Sequence, residues 1–174
     1  MNLIHTTNVT ADLAYEVQTQ PSVEIPLQDK IRISLDAIKQ QALSGKKFVV
    51  SWSGGKDSTV TLNLAITAIR ELKKEGVIVP TLHIIHSDTG VENPVVAAYN
   101  RQQIQRIRSY GKRSGVSLKV WVCSPNLSND YLVALIGGRT IMSVGSSTKC
   151  QQMMKASALT QGKRRIKQYI ADAK

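Results

Sequence analysis

The residues with the clearest chemical potential lie in one short stretch, where Gly54 and Gly55 follow an apolar run and precede hydroxyl residues. Two glycines allow a sharp turn and a close approach to a ligand, and the first N–H groups of a following helix point at an anion. An ordinary turn between a strand and a helix is the alternative. The stretch predicts a phosphate-binding loop, whose candidate binding residues are Ser51, Ser53, Gly54, Gly55, Lys56, Asp57 and Ser58.

The spacing in this loop differs from both G-x-x-x-x-G-K-[ST] and G-x-G-x-x-G. Ser-Gly-Gly-Lys-Asp-Ser resembles instead the PP-loop of the ATP pyrophosphatases, which include phosphoadenylyl-sulfate (PAPS) reductases, ATP sulfurylase small subunits, tRNA thiolases and amide-forming synthetases. The resemblance implies that ATP, with Mg²⁺, is split between its α and β phosphates. Lys56, Asp57 and Ser58 would be catalytic. Asp57 either helps the metal or the loop, or complements the helix dipole as a first-turn acid.

A second polar segment runs from His86 to Asn93. It resembles the Asp-Thr-Gly segment, followed by an acid and a proline, that PAPS reductases and their relatives carry after the second strand. The resemblance implies that the backbone near Ile85 and His86 recognises adenine, with Asp88 and Thr89 near the ribose and phosphates. The alternative is that Asp88 or Asn93 only caps the helix that begins at Pro94.

A third segment, Thr148 to Lys155, contains Cys150 before a predicted helix. With the first two segments it resembles the DndC-type proteins of bacterial DNA phosphorothioation and their relatives in the Ssp variant. The resemblance implies that the chain activates DNA, that a cysteine desulfurase and other phosphorothioation proteins are partners, and that Cys150 is an iron–sulfur ligand or a sulfur relay. A lone cysteine is more often structural.

The chain departs from that family in its cysteines and in its length. Four thiolates usually hold an iron–sulfur cluster, and only Cys123 and Cys150 are present, so the missing ligands would come from elsewhere. The expected fourth strand with its Gly-x-Arg segment is not recognised. We expect the amino-terminal part of a longer protein or a shortened homologue, in which ATP binding is safer to predict than sulfur transfer.

Charge favours a polyanionic partner, because the formal net charge is +11 and strongly basic domains attract nucleic acid. A solvated helix surface is the alternative. There is no long apolar run or signal-peptide pattern, and two cysteines make no disulfide framework, so a cytoplasmic protein without a membrane partner is expected. The residues predicted to face DNA are Arg101, Arg106, Arg108, Lys112, Arg113, Lys163, Arg164 and Arg165.

The elements that position these residues predict an α/β fold. Strands are expected at residues 48–52, 81–86 and 116–123. Helices are expected at 27–43, 58–74, 94–112, 130–136, 151–158 and 163–173, with residues 139–148 as a loop. The helix at 27–43 should pack on the sheet, and Val95, Ala98, Ile104 and Ile107 should form the inner face of the helix at 94–112. Residues 1–26 read as a loosely structured lead-in.

Together these patterns predict an adenine nucleotide alpha-hydrolase-like (Rossmann-like) three-layer fold with a parallel sheet over residues 27–174. The leading hypothesis is an ATP pyrophosphatase that acts in DNA phosphorothioation. The alternatives are reduction of phosphoadenylyl or adenylyl sulfate, against which the absence of that family's carboxy-terminal cysteine counts, and a non-catalytic nucleotide- or DNA-binding subunit. Assembly as a homo-oligomer stays open.

Overall fold

The computed structural model of the protein describes residues 24–139 and 152–173. Within them the chain is an α/β fold with three strands, β1 to β3, and five α-helices, α1 to α5. In chain order the elements are α1 (Leu27–Leu43), β1 (Phe48–Ser51), α2 (Lys56–Lys74), β2 (Leu82–Ser87), α3 (Pro94–Ser114), β3 (Leu118–Cys123), a 3₁₀ turn (Leu127–Asn129), α4 (Tyr131–Ile136), a π-helical segment (Gln152–Ala156) and α5 (Ser157–Asp172).

The three strands form one parallel sheet in the order β1-β2-β3. Phe48 pairs with Leu82, and Leu82 pairs in turn with Leu118. The central strand β2 is buried on both faces, as is usual for a parallel sheet covered by helices. The predicted α/β class with a parallel sheet is confirmed.

Helices cover both faces of the sheet and so produce three layers. On one face, Leu62 and Ile66 of α2 and Ile104 of α3 pack with Leu82 and Ile84 in one apolar core. On the other face, Ala158 and Ile166 of α5 pack with Ile85 and Cys123 in a second core. Because side chains alternate along β2, one strand contributes to both cores.

Helix α1 packs on α2 instead of on the sheet, which corrects the expected packing. Lys39 of α1 forms ion pairs with Glu71 and Glu75 of α2, at 2.7 and 3.6 Å. The apolar stripe that begins at Leu27 is narrow, and Leu27 itself is exposed. Helix α1 is therefore an outer helix that supports α2.

The inner face of α3 also differs from the expected one. Ile104 is buried and Ile107 is half-buried, as predicted, but Val95 and Ala98 are exposed. The first turns of α3 lie past the carboxyl end of β2, so the sheet does not cover them. Asn100, a polar residue, takes the buried position one turn before Ile104.

The carboxy-terminal helices are continuous, although the sequence predicted two of them. The π-helical segment leads into α5, which runs through the gap between the two predicted helices, 151–158 and 163–173, and includes Gly162. Gly162 is buried, and a Cβ built there would lie 2.9 Å from the Cys123 Sγ atom. This glycine allows α5 to approach the sheet closely, and it does not end a helix.

None of the helices in the described ranges is long and apolar enough to cross a membrane.

Candidate nucleotide site

The predicted phosphate loop connects the end of β1 to the start of α2. Trp52 extends the strand by one residue, because its N–H donates to the Ile85 carbonyl at 2.8 Å. Gly54 then adopts a left-handed backbone with φ +85°, and Gly55 precedes the first helical residue, Lys56. The helix thus begins two residues earlier than predicted. Lys56, Asp57 and Ser58 occupy its first turn, where N–H groups have no partner within the helix.

Hydroxyl groups fasten this loop to the helix. Ser58 Oγ accepts a hydrogen bond from the Ser53 N–H at 3.2 Å, lies 3.0 Å from Ser53 Oγ, and lies 3.1 Å from the Gly55 carbonyl, to which it donates. Thr59 Oγ1 donates to the same carbonyl at 2.8 Å and accepts from Trp52 Nε1 at 3.1 Å. The loop is therefore held closed by its own side chains.

Lys56 and Asp57 are exposed at the mouth of the loop. Among the described residues the Asp57 carboxylate accepts no hydrogen bond from the loop; only its backbone carbonyl is used, by Thr61 Oγ1 at 3.0 Å. Asp57 therefore does not hold the loop in place. A role at a metal-bound phosphate and a role as a first-turn acid both remain for it.

The second predicted segment lies beside the loop at the same end of the sheet. His86 is buried, its Nδ1 donates to the Trp52 carbonyl at 3.0 Å, and the two rings are 5.3 Å apart. The Asp88 N–H donates to the Cys123 carbonyl at 2.9 Å, which extends the β2–β3 pairing. Thr89 is also buried. The structure thus brings the two predicted segments together.

Helix α3 is capped by a residue of the second predicted segment. Asn93 Oδ1 accepts from the Val95 N–H at 2.9 Å, with Pro94 in the first turn. Asp88 instead closes its own turn by accepting from the Gly90 N–H at 3.1 Å. Asn93 is therefore the cap, and the exposed Asp88 stays a candidate ligand contact.

Ile85 offers less for nucleoside recognition than the resemblance implies. Its side chain is fully buried in the core beneath α5, and its carbonyl accepts the Trp52 N–H. His86 likewise uses Nδ1 within the protein. Recognition by Ile85, His86, Asp88 and Thr89 stays a prediction.

Two depressions flank the loop. One has a volume of about 200 Å³ between the carboxyl ends of β2 and β3 and helix α3, with His86, Asp88, Glu92, Asn100 and Arg101 in its wall. The other has a volume of about 460 Å³ and lies between α2 and α3. Its wall contains aromatic and basic side chains, namely Trp52, Tyr99, Tyr110, Arg106 and Arg113.

Sequence reasoning missed the contribution of Asn100. Its position could have been found from the period of α3, because Asn100, Ile104, Ile107 and Gly111 recur at helical spacing. A polar residue in register with buried apolar ones indicates a polar contact in the interior.

The residues predicted to face DNA do not form one surface. Arg101 and Arg108 line the depression beside β3, and Lys112 lines a neighbouring one with Leu118. Arg106 and Arg113 face α2 across the larger depression. The remaining three, Lys163, Arg164 and Arg165, are exposed on α5.

The cysteines do not provide an iron–sulfur site within the described residues. Cys123 is buried between β3 and α5, and burial raises the pKa of its thiol, although Arg165 partly offsets this. Cys150 lies outside the described residues. No group of three or more His, Cys, Asp and Glu side chains in residues 24–139 and 152–173 has a metal-binding arrangement. The residues of the described ranges therefore do not fit a cluster.

The sequence of the chain matches the model of a known protein family. The model of the phosphoadenosine phosphosulfate reductase domain matches residues 47–173, from the start of β1 to the end of α5. The chain belongs to this family. It is therefore a member of the PP-loop superfamily, in agreement with the three-stranded parallel sheet and the Ser53–Ser58 loop.

Weaker similarity connects the chain with a second class of proteins. It is 43% identical over 63 residues to the NH(3)-dependent NAD(+) synthetase of Lysinibacillus sphaericus, covering 34% of this chain and 22% of that protein. It is 38% identical over 71 residues to the enzyme of the same name from Rhodococcus opacus, covering 40% of this chain and 25% of that protein. The matched segments span at most about a quarter of these relatives.

Proposed function

We propose that this protein is an ATP pyrophosphatase that transfers AMP from ATP to an acceptor and releases pyrophosphate. The observation that carries the proposal is the loop from Ser53 to Ser58, closed by hydroxyl bonds at the first turn of α2. Preorganised N–H donors and a lysine stabilise an anionic leaving group without reorganising during the reaction. The similarity to the NAD(+) synthetases over limited segments supports the class of enzyme.

In this reaction an acceptor oxygen attacks the α-phosphorus of magnesium-bound ATP. A new oxygen–phosphorus bond forms, and the bond to the bridging oxygen of the β-phosphate breaks. The electron pair leaves with pyrophosphate, whose negative charge the first-turn N–H groups, Lys56 and the substrate's Mg²⁺ stabilise. Asp57 would hold the hydrated Mg²⁺ of the substrate, and Asp88 and Thr89 would contact the nucleoside.

The acceptor we propose is the DNA backbone, activated for sulfur incorporation in phosphorothioate modification with sulfur supplied through a cysteine desulfurase. The distribution of charge along the chain supports a polyanionic partner. Residues 94–129 contain six lysines and arginines and no acid: Arg101, Arg106, Arg108, Lys112, Arg113 and Lys119. In the described parts of the chain the ion pairs all involve α1, namely Asp29 with Arg32 and Lys39 with Glu71 and Glu75.

Within residues 94–129, the edge of β3 is the best candidate for the DNA contact. Arg108 and Lys112 of α3 line a depression of about 360 Å³ with Ser117 and Leu118, and no acid is in its wall. On the opposite face of the sheet, the Lys119 ammonium lies 3.3 Å from the ring centroid of Tyr169, held by an aromatic ring and not by a carboxylate. Cations from both faces therefore border one sheet edge.

The reaction is tested by incubating the chain with ATP and Mg²⁺, with and without duplex DNA as the acceptor, and separating the products, including AMP attached to the DNA. AMP and pyrophosphate are expected, with a loss of turnover of at least about a hundredfold in Lys56→Ala, because one preorganised stabilising group contributes on this scale. Ser58→Ala should also lose activity. Lys74→Ala and Thr61→Ala are the matched controls, since Lys74 ends the same helix and Thr61 Oγ1 only bonds the Asp57 carbonyl within it. ADP and phosphate as products would overturn the proposal.

The DNA surface is tested by binding to duplex DNA across a salt series. Arg108→Gln with Lys112→Gln should weaken binding and reduce the slope of log affinity against log salt by about 2, roughly one unit for each lost phosphate contact. Lys30→Gln with Lys46→Gln removes the same charge from α1 and the turn after it, which pack on α2 and not on β3, and should change little. Equal effects of both pairs would show that total charge, and not this edge, controls binding.

Reduction of a sulfonucleotide is a second candidate, favoured by the reductase domain match over residues 47–173. The same loop would then bind the phosphates of a ready-made sulfonucleotide. Release of sulfite from phosphoadenylyl or adenylyl sulfate with a thiol reductant, without release of pyrophosphate from ATP, would select this alternative. Binding of ATP or DNA with neither reaction would indicate a non-catalytic subunit.

A further inference from the structure

Asn100 contacts the phosphate loop from the neighbouring helix. A Cβ built on Gly54 would overlap Asn100 Oδ1 and lie 3.0 Å from Asn100 Cγ, so the amide lies directly against the Gly54 backbone. Gly54 has φ +85°. The turn therefore needs glycine for two independent reasons, its backbone conformation and the presence of Asn100.

The Asn100 amide is buried without a full set of hydrogen bonds. The residue is 2% exposed, Nδ2 donates to Glu92 Oε2 at a long 3.4 Å, and Oδ1 has no hydrogen-bond partner among the described residues. Burying a polar group without a partner is costly, so such groups are rare and often mark a functional position.

Glu92 determines which way this amide points. A carboxylate can only accept hydrogen bonds, so it selects the orientation with Nδ2 toward Glu92 and Oδ1 toward Gly54. Glu92 directly precedes Asn93, the cap of α3, and it shares a depression with Asp88 and His86. The contact therefore connects the nucleoside segment, helix α3 and the phosphate loop.

We propose that Asn100 is a positioning residue of the phosphate loop: its amide, oriented by Glu92, supports the Gly54 turn so that the first-turn N–H groups of α2 face the ligand. The inference rests on the proposed binding of pyrophosphate at this loop. Asn100 acts through the loop and does not touch the reacting atoms.

The test measures the affinity of the full chain for pyrophosphate and for adenosine by calorimetry, together with the amide NMR shifts of Gly54 and Gly55 without ligand. In Asn100→Ala the affinity for pyrophosphate should fall about tenfold or more, since small displacements of binding groups have effects of at least this size. The affinity for adenosine should change much less, because adenosine has no phosphate for the loop N–H groups to bind. The Gly54 and Gly55 shifts should move.

A swap of the two side chains supplies the rescue. Asn100→Asp alone places two carboxylates together and should weaken pyrophosphate binding, whereas Asn100→Asp with Glu92→Gln restores an amide–carboxylate pair at unchanged net charge. Because both variants carry the added carboxylate against the loop, the double variant should bind pyrophosphate more tightly than Asn100→Asp alone without reaching the affinity of the unaltered chain.

The outcomes separate this inference from the proposed function. Wild-type affinity and unmoved glycine shifts in Asn100→Ala would overturn the positioning role alone. Equal losses for pyrophosphate and adenosine, with no rescue by the swap, would indicate a general structural role and would also overturn it. Absence of pyrophosphate binding by the unaltered chain would overturn the proposed function, and the glycine shifts would then still report whether Asn100 orders the loop.

Discussion

Replacing Gly54 by alanine tests whether the turn depends on Asn100 as well as on its own backbone. Alanine in the left-handed region costs about 1–2 kcal/mol. The added methyl group overlaps the buried Asn100 amide, and overpacking of an interior costs about 1–3 kcal/mol. We therefore expect Gly54→Ala to lower the free energy of unfolding by about 2–5 kcal/mol, the sum of the two contributions.

Gly45→Ala is the matched control. Gly45 has φ +73°, close to that of Gly54, but a Cβ built there has no atom within 4 Å. It should lose only the backbone contribution of about 1–2 kcal/mol. The difference between the two variants, measured by urea unfolding with far-UV circular dichroism, isolates the contact with Asn100.

A double variant completes the cycle. Asn100→Ala removes the amide that the methyl group meets, so Gly54→Ala should cost less in that background than in the unaltered chain. Equal destabilisation by Gly54→Ala and Gly45→Ala, or the same cost of Gly54→Ala in both backgrounds, would refute the reasoning.

Three further predictions follow from other parts of the fold. Burial and the charge of Lys119 lower the pKa of His83, whose Nδ1 accepts a hydrogen bond from Trp121 Nε1 at 3.1 Å. The neutral imidazole therefore stabilises the fold at pH values above its ordinary pKa of about 6.5. This contribution is lost as the pH falls and the imidazole becomes protonated. The melting temperature should thus fall from about pH 7 to pH 5, and less in His83→Gln; an equal fall in both would contradict this. Cys123 should react with a thiol reagent far more slowly in native than in urea-unfolded protein, because burial raises the pKa of its thiol. Peptide mass spectrometry locates the labelled cysteine, and rapid labelling of Cys123 in the native protein would contradict its buried position. Asn93→Ala should lower the free energy of unfolding by about 1 kcal/mol through loss of the α3 cap, with ATP affinity unchanged by calorimetry; a large loss of affinity would give Asn93 a binding role.

The strands and the phosphate loop were accessible from sequence because their signals are local. A short apolar run, two glycines and a helix start specify their own geometry, and the same is true of the Asn93-Pro94 start of α3. The structure differs by two residues at the start of α2, where a helix can begin on Lys56 without a side-chain cap.

The errors came from tertiary packing, which local patterns do not encode. Gly162 lies in the gap expected between two carboxy-terminal helices, but it is part of α5 and packs against Cys123 where a side chain would not fit. Val95 fits the apolar period of α3, yet it is exposed because that turn extends past the sheet. Asn100 lies in register with the buried positions of α3, but its contact with Gly54 arises only where that helix meets the loop.

Trp52 has a kinetic consequence through its two backbone bonds. Its N–H is bound to the Ile85 carbonyl and its own carbonyl to His86 Nδ1, at 2.8 and 3.0 Å, so the base of the loop is fixed to the central strand before any ligand arrives. A site assembled in advance requires no slow ordering step, and partners of that kind change little on binding. In stopped-flow measurements the observed rate of ligand association should therefore rise linearly with ligand concentration and show no plateau.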